Sequence, residues 1–264
     1  MGTRHALPGY SWSLKKVRRW VKQVMHCEVS RSALRTLLKQ QGLSWKKCQK
    51  VLKKAKPERR AAFMQEFQQI FTQLCQGKLR LIYIDEAHIH RDMDLGYTWA
   101  PVGKPAWRLS DCPPLSDRIN WYGAYDFSQA QCFLWQEGRC NQAHTMQFLH
   151  HLAEWLGPLS PEVLIIWDGA PWHKAKQVQE AAAELGFRLQ PLPGYSPDLN
   201  PIEGLWRWLR EEVTRNHCHL SMTQLVDACQ AFIDRINAEP AQVLARLWPK
   251  FELDPEFEIL LVSI

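Results

Sequence analysis

The segment VLIIWDGAPWHK occupies residues 163–174, and GYSPDLNPIEGLW follows at residues 194–206. The first segment opens with five apolar residues, and an unbroken run of this kind predicts a strand that is buried on both faces. Asp168 follows that run directly, although a buried strand has no need of a carboxylate. Glu203 lies two residues after Pro201 in the second segment, where a helix is predicted to begin.

A second apolar run leads to another aspartate. The segment LRLIYIDE at residues 79–86 predicts a second buried strand that ends at Asp85. Ligands of α/β sheets gather beyond the carboxyl ends of the strands, so the two aspartates are predicted to share a site. Three converging carboxylates would repel one another unless a cation neutralised them, and Mg²⁺ prefers oxygen ligands. Asp85, Asp168 and Glu203 are therefore predicted to be the metal ligands and catalytic residues of an enzyme that cuts or joins nucleic acid.

Each of these acids also has a structural explanation. If Asn200 caps the helix and Pro201 is its first residue, Glu203 takes the capping-box position, and Arg207 one turn later can pair with it. Aspartates at strand ends are common turn residues. The presence of all three acids favours catalysis, and capping would also fix the helix that aims Glu203.

The neighbours of the acids have alternative roles. Glu86 is predicted to face away from the preceding aspartate, because adjacent strand residues point to opposite faces. His173 is predicted to contact the scissile phosphate, to orient the second aspartate, or to form a structural hydrogen bond at the helix start. Trp172 and Trp206 are either core residues or platforms for DNA bases. His173 and Asn200 are thus the candidate supporting residues around the metal ligands.

These segments resemble the second and third acidic blocks of the mariner-type DDE transposases, in the bacterial insertion-sequence branch. The gap of 34 residues between Asp168 and Glu203 matches the spacing of that family, and LIYIDEAHIH at residues 81–90 resembles its first acidic block. The resemblance extends from about residue 12 to about residue 248. Gly169 departs from the family pattern, since many members carry Asn after the aspartate.

The resemblance implies an α/β fold, namely an RNase H-like (retroviral-integrase-like) catalytic domain with a mixed sheet. It also implies Mg²⁺ as the cofactor, with Mn²⁺ able to substitute. Double-stranded DNA is the implied partner, as terminal inverted repeats and as target DNA cut at TA dinucleotides. A homodimer that bridges both ends of the element is implied as well.

Charge is distributed unevenly along the chain. Residues 1–60 hold 17 Lys and Arg against two acids, or +15, and the net charge of +6 leaves −9 for the remainder. A basic head on an acidic body predicts that the head binds a polyanion. Helical periodicity at residues 14–24 and 30–42 predicts two short helices of a helix-turn-helix, and the resemblance makes it a small all-α winged unit. The predicted DNA contacts are Lys15, Arg18, Arg19, Arg31, Arg35, Lys46 and Lys47 in this unit, with Arg207 and Arg210 beside Glu203.

Four parts of the chain are predicted. They are a DNA-binding unit at 1–56, a connecting helix at 57–76, the catalytic domain at 77–240 and a C-terminal tail at 241–264. Within the catalytic domain, residues 98–110 predict a hairpin, and a strand is predicted on each side of residues 126–129. The family places another DNA-binding unit before the winged one, so an upstream reading frame or a truncation is expected here.

No apolar run reaches transmembrane length and the N-terminus lacks a signal-peptide pattern, so a cytoplasmic bacterial protein without a membrane partner is expected. The predicted function is that of a DNA transposase that cuts at terminal inverted repeats and joins the 3′ ends to target DNA by two-metal phosphoryl transfer. Two alternatives remain open. One is a DNA-binding regulator or inactive remnant, and the other is a metal-dependent nuclease that does not join strands.

Overall fold

The computed structural model describes residues 13–45, 57–158 and 161–248. The chain forms two compact units, residues 1–51 and residues 52–264. Lys46, Lys47 and the predicted wing lie outside the described residues, as does the chain after residue 248. Among the described residues, no helix combines the length and the apolarity that crossing a bilayer requires.

The described part of the first unit consists of two helices, α1 (Leu14–Met25) and α2 (Arg31–Gln40). Ser30 caps α2, since its hydroxyl accepts a hydrogen bond from the Ala33 N–H at 3.1 Å. Ser13 caps α1 in the same way, at 3.4 Å from the Lys16 N–H. Side-chain caps of this kind satisfy N–H groups that have no partner inside the helix.

The second unit is built on one five-stranded sheet with the order β3-β2-β1-β4-β5. Strand β2 is antiparallel to both β1 and β3, whereas β4 is parallel to both β1 and β5. The sheet is therefore mixed, as predicted. The strands are β1 (Leu79–His90), β2 (Arg118–Asp126), β3 (Gln131–Gln136), β4 (Glu162–Trp167) and β5 (Phe187–Pro191). The helices are α3 (Pro57–Cys75), α4 (Gln142–Leu156), α5 (Lys176–Glu184), α6 (Ile202–Leu209), α7 (Met222–Asn237) and α8 (Pro240–Arg246).

The two faces of the sheet carry separate cores. On one face, residues of α3, α6 and α7 pack against Leu81 and Tyr83 of β1. On the other face, residues of α4 and α5 pack against Ile82 and Ile84. Side chains of a strand alternate between faces, so the register of β1 continues with Asp85 on the α6 face.

Two local predictions about the strands are wrong. Residues 98–110 contain no strand, although the predicted turn is present with a hydrogen bond from the Lys104 N–H to the Pro101 carbonyl at 3.1 Å. The apolar residues that suggested a hairpin point into solvent, and Trp99 is fully exposed. Asp85 does not end its strand, because β2 pairs with β1 as far as His90.

Candidate active site

Asp85 and Asp168 occupy equivalent positions on neighbouring parallel strands. The parallel pairing of β1 with β4 ends at Tyr83 opposite Ile166, and each aspartate lies two residues beyond its member of that pair. Asp168 follows the last residue of β4, Trp167, and one of its carboxylate oxygens lies within 4.8 Å of a carboxylate oxygen of Glu86. The structure thus brings the first two predicted ligands to one edge of the sheet, with Asp85 on the face that α6 covers.

Glu203 approaches the same face from the first turn of α6. The apolar side of that helix, including Leu205 and Leu209, is buried against the sheet, while Glu203 remains exposed. Arg210 donates a hydrogen bond to the His88 carbonyl of β1 at 3.0 Å and so holds the far end of the helix on the strand. Arg207 is exposed one turn after Glu203.

Electrostatic interactions connect Glu203 with each of the two aspartates. Burial raises the pKa of Asp85 to about 8, and the negative charges of Glu203 and Glu86 add to this rise. Burial also raises the pKa of Glu203, which Arg210 and Arg207 lower and Asp168 raises further. Like charges that interact in this way disfavour full ionisation. A divalent cation would remove that penalty, so the donor set fits a metal ion with oxygen preference.

The capping explanation of Glu203 is wrong. The Asn200 side chain caps no helical N–H, and its amide instead donates to the Ile84 carbonyl at 3.1 Å. The backbone N–H of Asn200, which a capping box would offer to Glu203, donates to the Pro197 carbonyl at 3.0 Å. Asn200 therefore ties the start of α6 to the strand residue just before Asp85, and the carboxylate of Glu203 is left for another role.

Asp168 is held by His173. The imidazole Nδ1 lies 2.8 Å from Asp168 Oδ1, and Nε2 lies 3.0 Å from Glu86 Oε1. The ring is 1% exposed at its side chain and stacks on Trp167 with 4.3 Å between ring centroids. Of the three roles predicted for His173, these contacts fit both the orientation of the second aspartate and a structural hydrogen bond in the turn, while contact with the scissile phosphate stays a prediction.

The charge state of this arrangement follows from its contacts. Burial alone lowers the pKa of His173, but the hydrogen bonds and charges of Asp168 and Glu86 outweigh it and raise the pKa to about 9. The hydrogen bond from His173 in turn lowers the pKa of Asp168 despite partial burial. At neutral pH an imidazolium is therefore favoured, and both nitrogens of a charged histidine carry protons. Nε2 donates to Glu86, while Nδ1 donates to the Asp168 carbonyl at 3.2 Å and forms an ion pair with Asp168 Oδ1.

Glu86 is the functional neighbour that the sequence analysis missed. Glu86 points to the face opposite Asp85, as alternation predicts. Its carboxylate accepts hydrogen bonds from His173 and from the Trp172 indole, the latter at 3.0 Å. One ligand atom each of Glu86, Asp168 and His173 lies within 4.8 Å of the others. In this cluster the imidazole lies between the two carboxylates and supports Asp168 through its contacts with both.

Trp206 does not stack on DNA bases. Its side chain is 2% exposed, and its indole N–H donates to Asp85 Oδ2 at 3.0 Å. Trp172 is partly exposed and holds Glu86. The predicted stacking role is therefore wrong for Trp206 and has no observation behind it for Trp172.

The small unit presents a basic surface. Lys15, Arg18 and Arg19 are exposed on α1 and line a groove of about 510 Å³ between α1 and the start of α2. Arg31 and Arg35 are exposed on α2. All five side chains are therefore available to phosphate groups.

A mixed sheet with an antiparallel edge and acids on its central parallel pair defines an RNase H-like domain. Residues 80–226 match the family described as DDE superfamily endonuclease, and the chain belongs to that family. Residues 8–67 match the family described as winged helix-turn helix. The predicted resemblance and fold class are confirmed.

Two relatives come from bacteria. The Insertion element IS630 uncharacterized 39 kDa protein of Shigella sonnei is 24% identical over 233 residues, which is 87% of this chain and 66% of the relative. The chain thus spans just under two thirds of that relative's length. The Uncharacterized protein y4pE/y4sA of Sinorhizobium fredii (strain NBRC 101917 / NGR234) is 26% identical over 82 residues, covering 31% of this chain and 58% of the relative.

Solved structures of the Mos1 transposase share the fold. The paired-end complex with the left transposon end has a TM-score of 0.62 at 18% identity, with 100% of this chain and 82% of that chain covered. The mariner Mos1 paired end complex with Mg has a TM-score of 0.61 at 18% identity and the same coverage. Identities this low support the architecture, whereas the activity of the present chain has to be argued from its own site.

Proposed function

We propose that this protein is a DNA transposase that cuts DNA at the terminal inverted repeats of an insertion sequence and joins the 3′ ends to target DNA at TA sites. The observation that carries the proposal is the placement of Asp85 and Asp168 at one edge of an RNase H-like sheet, with Glu203 within electrostatic reach of both. The named likeness to an insertion-element protein and the transposon ends in the Mos1 complexes support the choice of substrate.

The three acids are proposed to bind Mg²⁺, with Mn²⁺ as a substitute. Bound at these carboxylates, a pair of divalent ions would neutralise charge on the attacking and leaving oxygens of a phosphoryl transfer. The Asp85 carboxylate is half-buried, so a nearby cation would favour its ionised form most strongly. The contact with His173 is proposed to hold Asp168 in one orientation. Mos1 complexes with Mg and with Mn fit this choice of cofactor.

The same site would serve two displacements in sequence. Attack by water on the phosphodiester at the element's end forms a new bond from the water oxygen to phosphorus and breaks the bond between phosphorus and the 3′ oxygen. One proton of the water passes to the departing oxygen, which becomes the 3′-hydroxyl, and the phosphate stays on the 5′ end of the flanking strand. That hydroxyl then attacks a target phosphodiester and displaces a new 3′-hydroxyl from the target strand. Arg207 and Arg210 follow Glu203 by about one and two helical turns. They are proposed to hold the phosphates in line for both steps, since positioning and charge stabilisation dominate such reactions.

The basic helices of the small unit are proposed to hold the inverted repeat. Arg31 and Arg35 project from the second helix of the pair, the helix that enters the major groove in helix-turn-helix proteins. Lys15, Arg18 and Arg19 would bind the backbone. Lys46 and Lys47 remain proposed contacts outside the described residues.

A homodimer that bridges both ends is proposed on the basis of exposed apolar side chains. Tyr97, Trp99 and Trp107 of the segment between β1 and β2 are at least 81% exposed. The base of this segment is fixed, because Arg91 bonds to Asp111 at 2.9 Å and to Asp117 at 3.1 Å. Apolar surface of this kind marks interaction sites. A bacterial cytoplasm is the proposed compartment, where the DNA substrate is present.

A strand-transfer assay tests the proposal. Pre-cleaved element ends are incubated with supercoiled plasmid and Mg²⁺, and joined products are resolved on a gel. A transposase is supported if the unmutated chain joins the ends to the plasmid, and if Asp168→Ala abolishes joining while end binding is preserved. If the unmutated chain hydrolyses DNA but gives no joined products, it is a nuclease. If it binds the ends and does not cleave DNA, it is a regulator or an inactive remnant.

A further inference from the structure

The carboxylate of Asp85 has a single side-chain hydrogen bond within the part of the chain that the structure describes. The donor is the indole Nε1 of Trp206, at 3.0 Å from Oδ2. Trp206 lies on α6, three residues after Glu203, so one helical turn carries both the third acid and the donor to the first. The indole thus links the position of the helix to the orientation of the aspartate.

Close packing fixes the indole ring. Gly123 of β2 pairs directly opposite Asp85 in the antiparallel register. A Cβ atom at Gly123 would lie 2.6 Å from Trp206 Cζ2 and 3.3 Å from the Cδ1 atom of Ile202. Gly123 has no positive φ angle, so space alone explains the glycine: the indole lies against the bare backbone beside the aspartate.

The helix is also fastened one turn earlier. Asn200 donates to the carbonyl of Ile84, the residue before Asp85. Asn200 precedes Glu203 in the sequence and Trp206 follows it. Both side chains donate hydrogen bonds to the same short stretch of β1. A shift of the helix along the strand would break both hydrogen bonds together.

The chemistry of the donor suits a ligand-holding role. An indole N–H donates but cannot accept, so it cannot bind a metal itself. It engages only Oδ2 of the carboxylate, so the indole itself does not occupy Oδ1. The donor is neutral and therefore adds no positive charge that would compete with the cation, unlike a lysine or an arginine at the same place.

We propose that Trp206 is a positioning residue that holds the Asp85 carboxylate in the orientation needed to bind a divalent cation. The inference rests on the proposed function, because it assumes that Asp85 is a metal ligand. Gly123 contributes by providing the space that the indole occupies. The substitution Trp206→Phe removes the N–H and keeps an aromatic ring in the core.

The test measures Mn²⁺ binding by the full chain, with free Mn²⁺ determined by electron paramagnetic resonance. Trp206→Phe is expected to weaken Mn²⁺ binding about tenfold, the usual consequence of losing one hydrogen bond to a charged group. Turnover in the strand-transfer assay should fall while the affinity for DNA ends stays unchanged. Trp208→Phe is the matched control, since Trp208 lies on the same helix and donates to Glu212 instead. It should bind Mn²⁺ as the unmutated chain does.

A folded Trp206→Phe chain with unchanged Mn²⁺ affinity would overturn the inference, as would an equal loss in the control. Gly123→Ala, which displaces the indole, should reproduce the loss. If neither variant folds, the indole ¹⁵N–¹H resonances are titrated with Mg²⁺ in a Trp172→Phe chain, which lacks the indole that holds Glu86. One resonance should shift and saturate with metal binding, and the absence of any shift would refute the role. An unmutated chain that binds no Mn²⁺ would instead refute the proposed metal site.

Discussion

Replacing Asp85 with asparagine should stabilise the metal-free protein at alkaline pH. Burial and the neighbouring carboxylates raise the pKa of Asp85 from 3.8 to about 8. The folded state therefore binds this proton more tightly than the unfolded state, and stability falls as the pH rises from about 4 towards 8. Asparagine resembles the protonated form, because its side-chain oxygen still accepts from Trp206 and carries no charge.

The expected size of the effect is several kcal/mol. The interval between 3.8 and about 8 corresponds to roughly 6 kcal/mol at ~1.4 kcal/mol per pH unit. Even a third of that, about 2 kcal/mol, would raise the melting temperature by roughly 4–8 °C in a chain of this size. Asp85→Asn and the unmutated protein should therefore unfold together near pH 4 and separate progressively up to pH 8.5.

The assay is urea and thermal unfolding in EDTA, followed by circular dichroism between pH 4 and pH 8.5. Saturating Mg²⁺ at pH 8.5 should restore stability to the unmutated protein, by about 2.7 kcal/mol at a hundredfold excess over the dissociation constant, and should leave Asp85→Asn unchanged. Asp227→Asn, at an exposed position of α7, is the control. Equal stability of Asp85→Asn and the unmutated protein at pH 4 and pH 8.5 would refute the reasoning.

Three further substitutions have defined outcomes. Glu203→Gln should keep the fold and its melting temperature, since Glu203 caps nothing, and should abolish cleavage on gels; full cleavage would remove it from the ligand set. His173→Ala leaves Glu86 buried without its cation and should lower the free energy of unfolding in urea by about 3 kcal/mol. Adding Glu86→Gln should restore part of this loss, and no restoration would argue against the ion pair. Arg80→Ala strands the fully buried Asp126, which it contacts at 2.7 Å, and should cost about 3–5 kcal/mol in the same assay; a loss below 1 kcal/mol would contradict this.

Much of the architecture is readable from the sequence because the central strands are buried on both faces. The apolar run before Asp168 has no polar member, and β4 is indeed covered by helices on both sides. The failed hairpin at residues 98–110 has the opposite cause. Its apolar residues form a plausible strand pattern, yet they pair with no strand in the described part of the chain, and pairing is not visible in a local pattern.

The supports of the site were less predictable than the acids. The pattern of Asn200, Pro201 and Glu203 fits a capping box, but the carbonyl of Ile84 competes for the asparagine amide. Glu86 and His173 meet across 87 residues of sequence. Alternation along β1 correctly directs Glu86 to the other face, and only the path of the turn after β4 brings the histidine to it.

The most direct test of the account is the position of a bound ion. Crystals of the full chain soaked in Mn²⁺ would be measured at the manganese absorption edge. We expect an anomalous peak that is ligated by carboxylate oxygens of Asp85, Asp168 and Glu203, with the His173 ring still between Asp168 and Glu86. A peak ligated by His173 and Glu86, or no peak near Asp85, would contradict it.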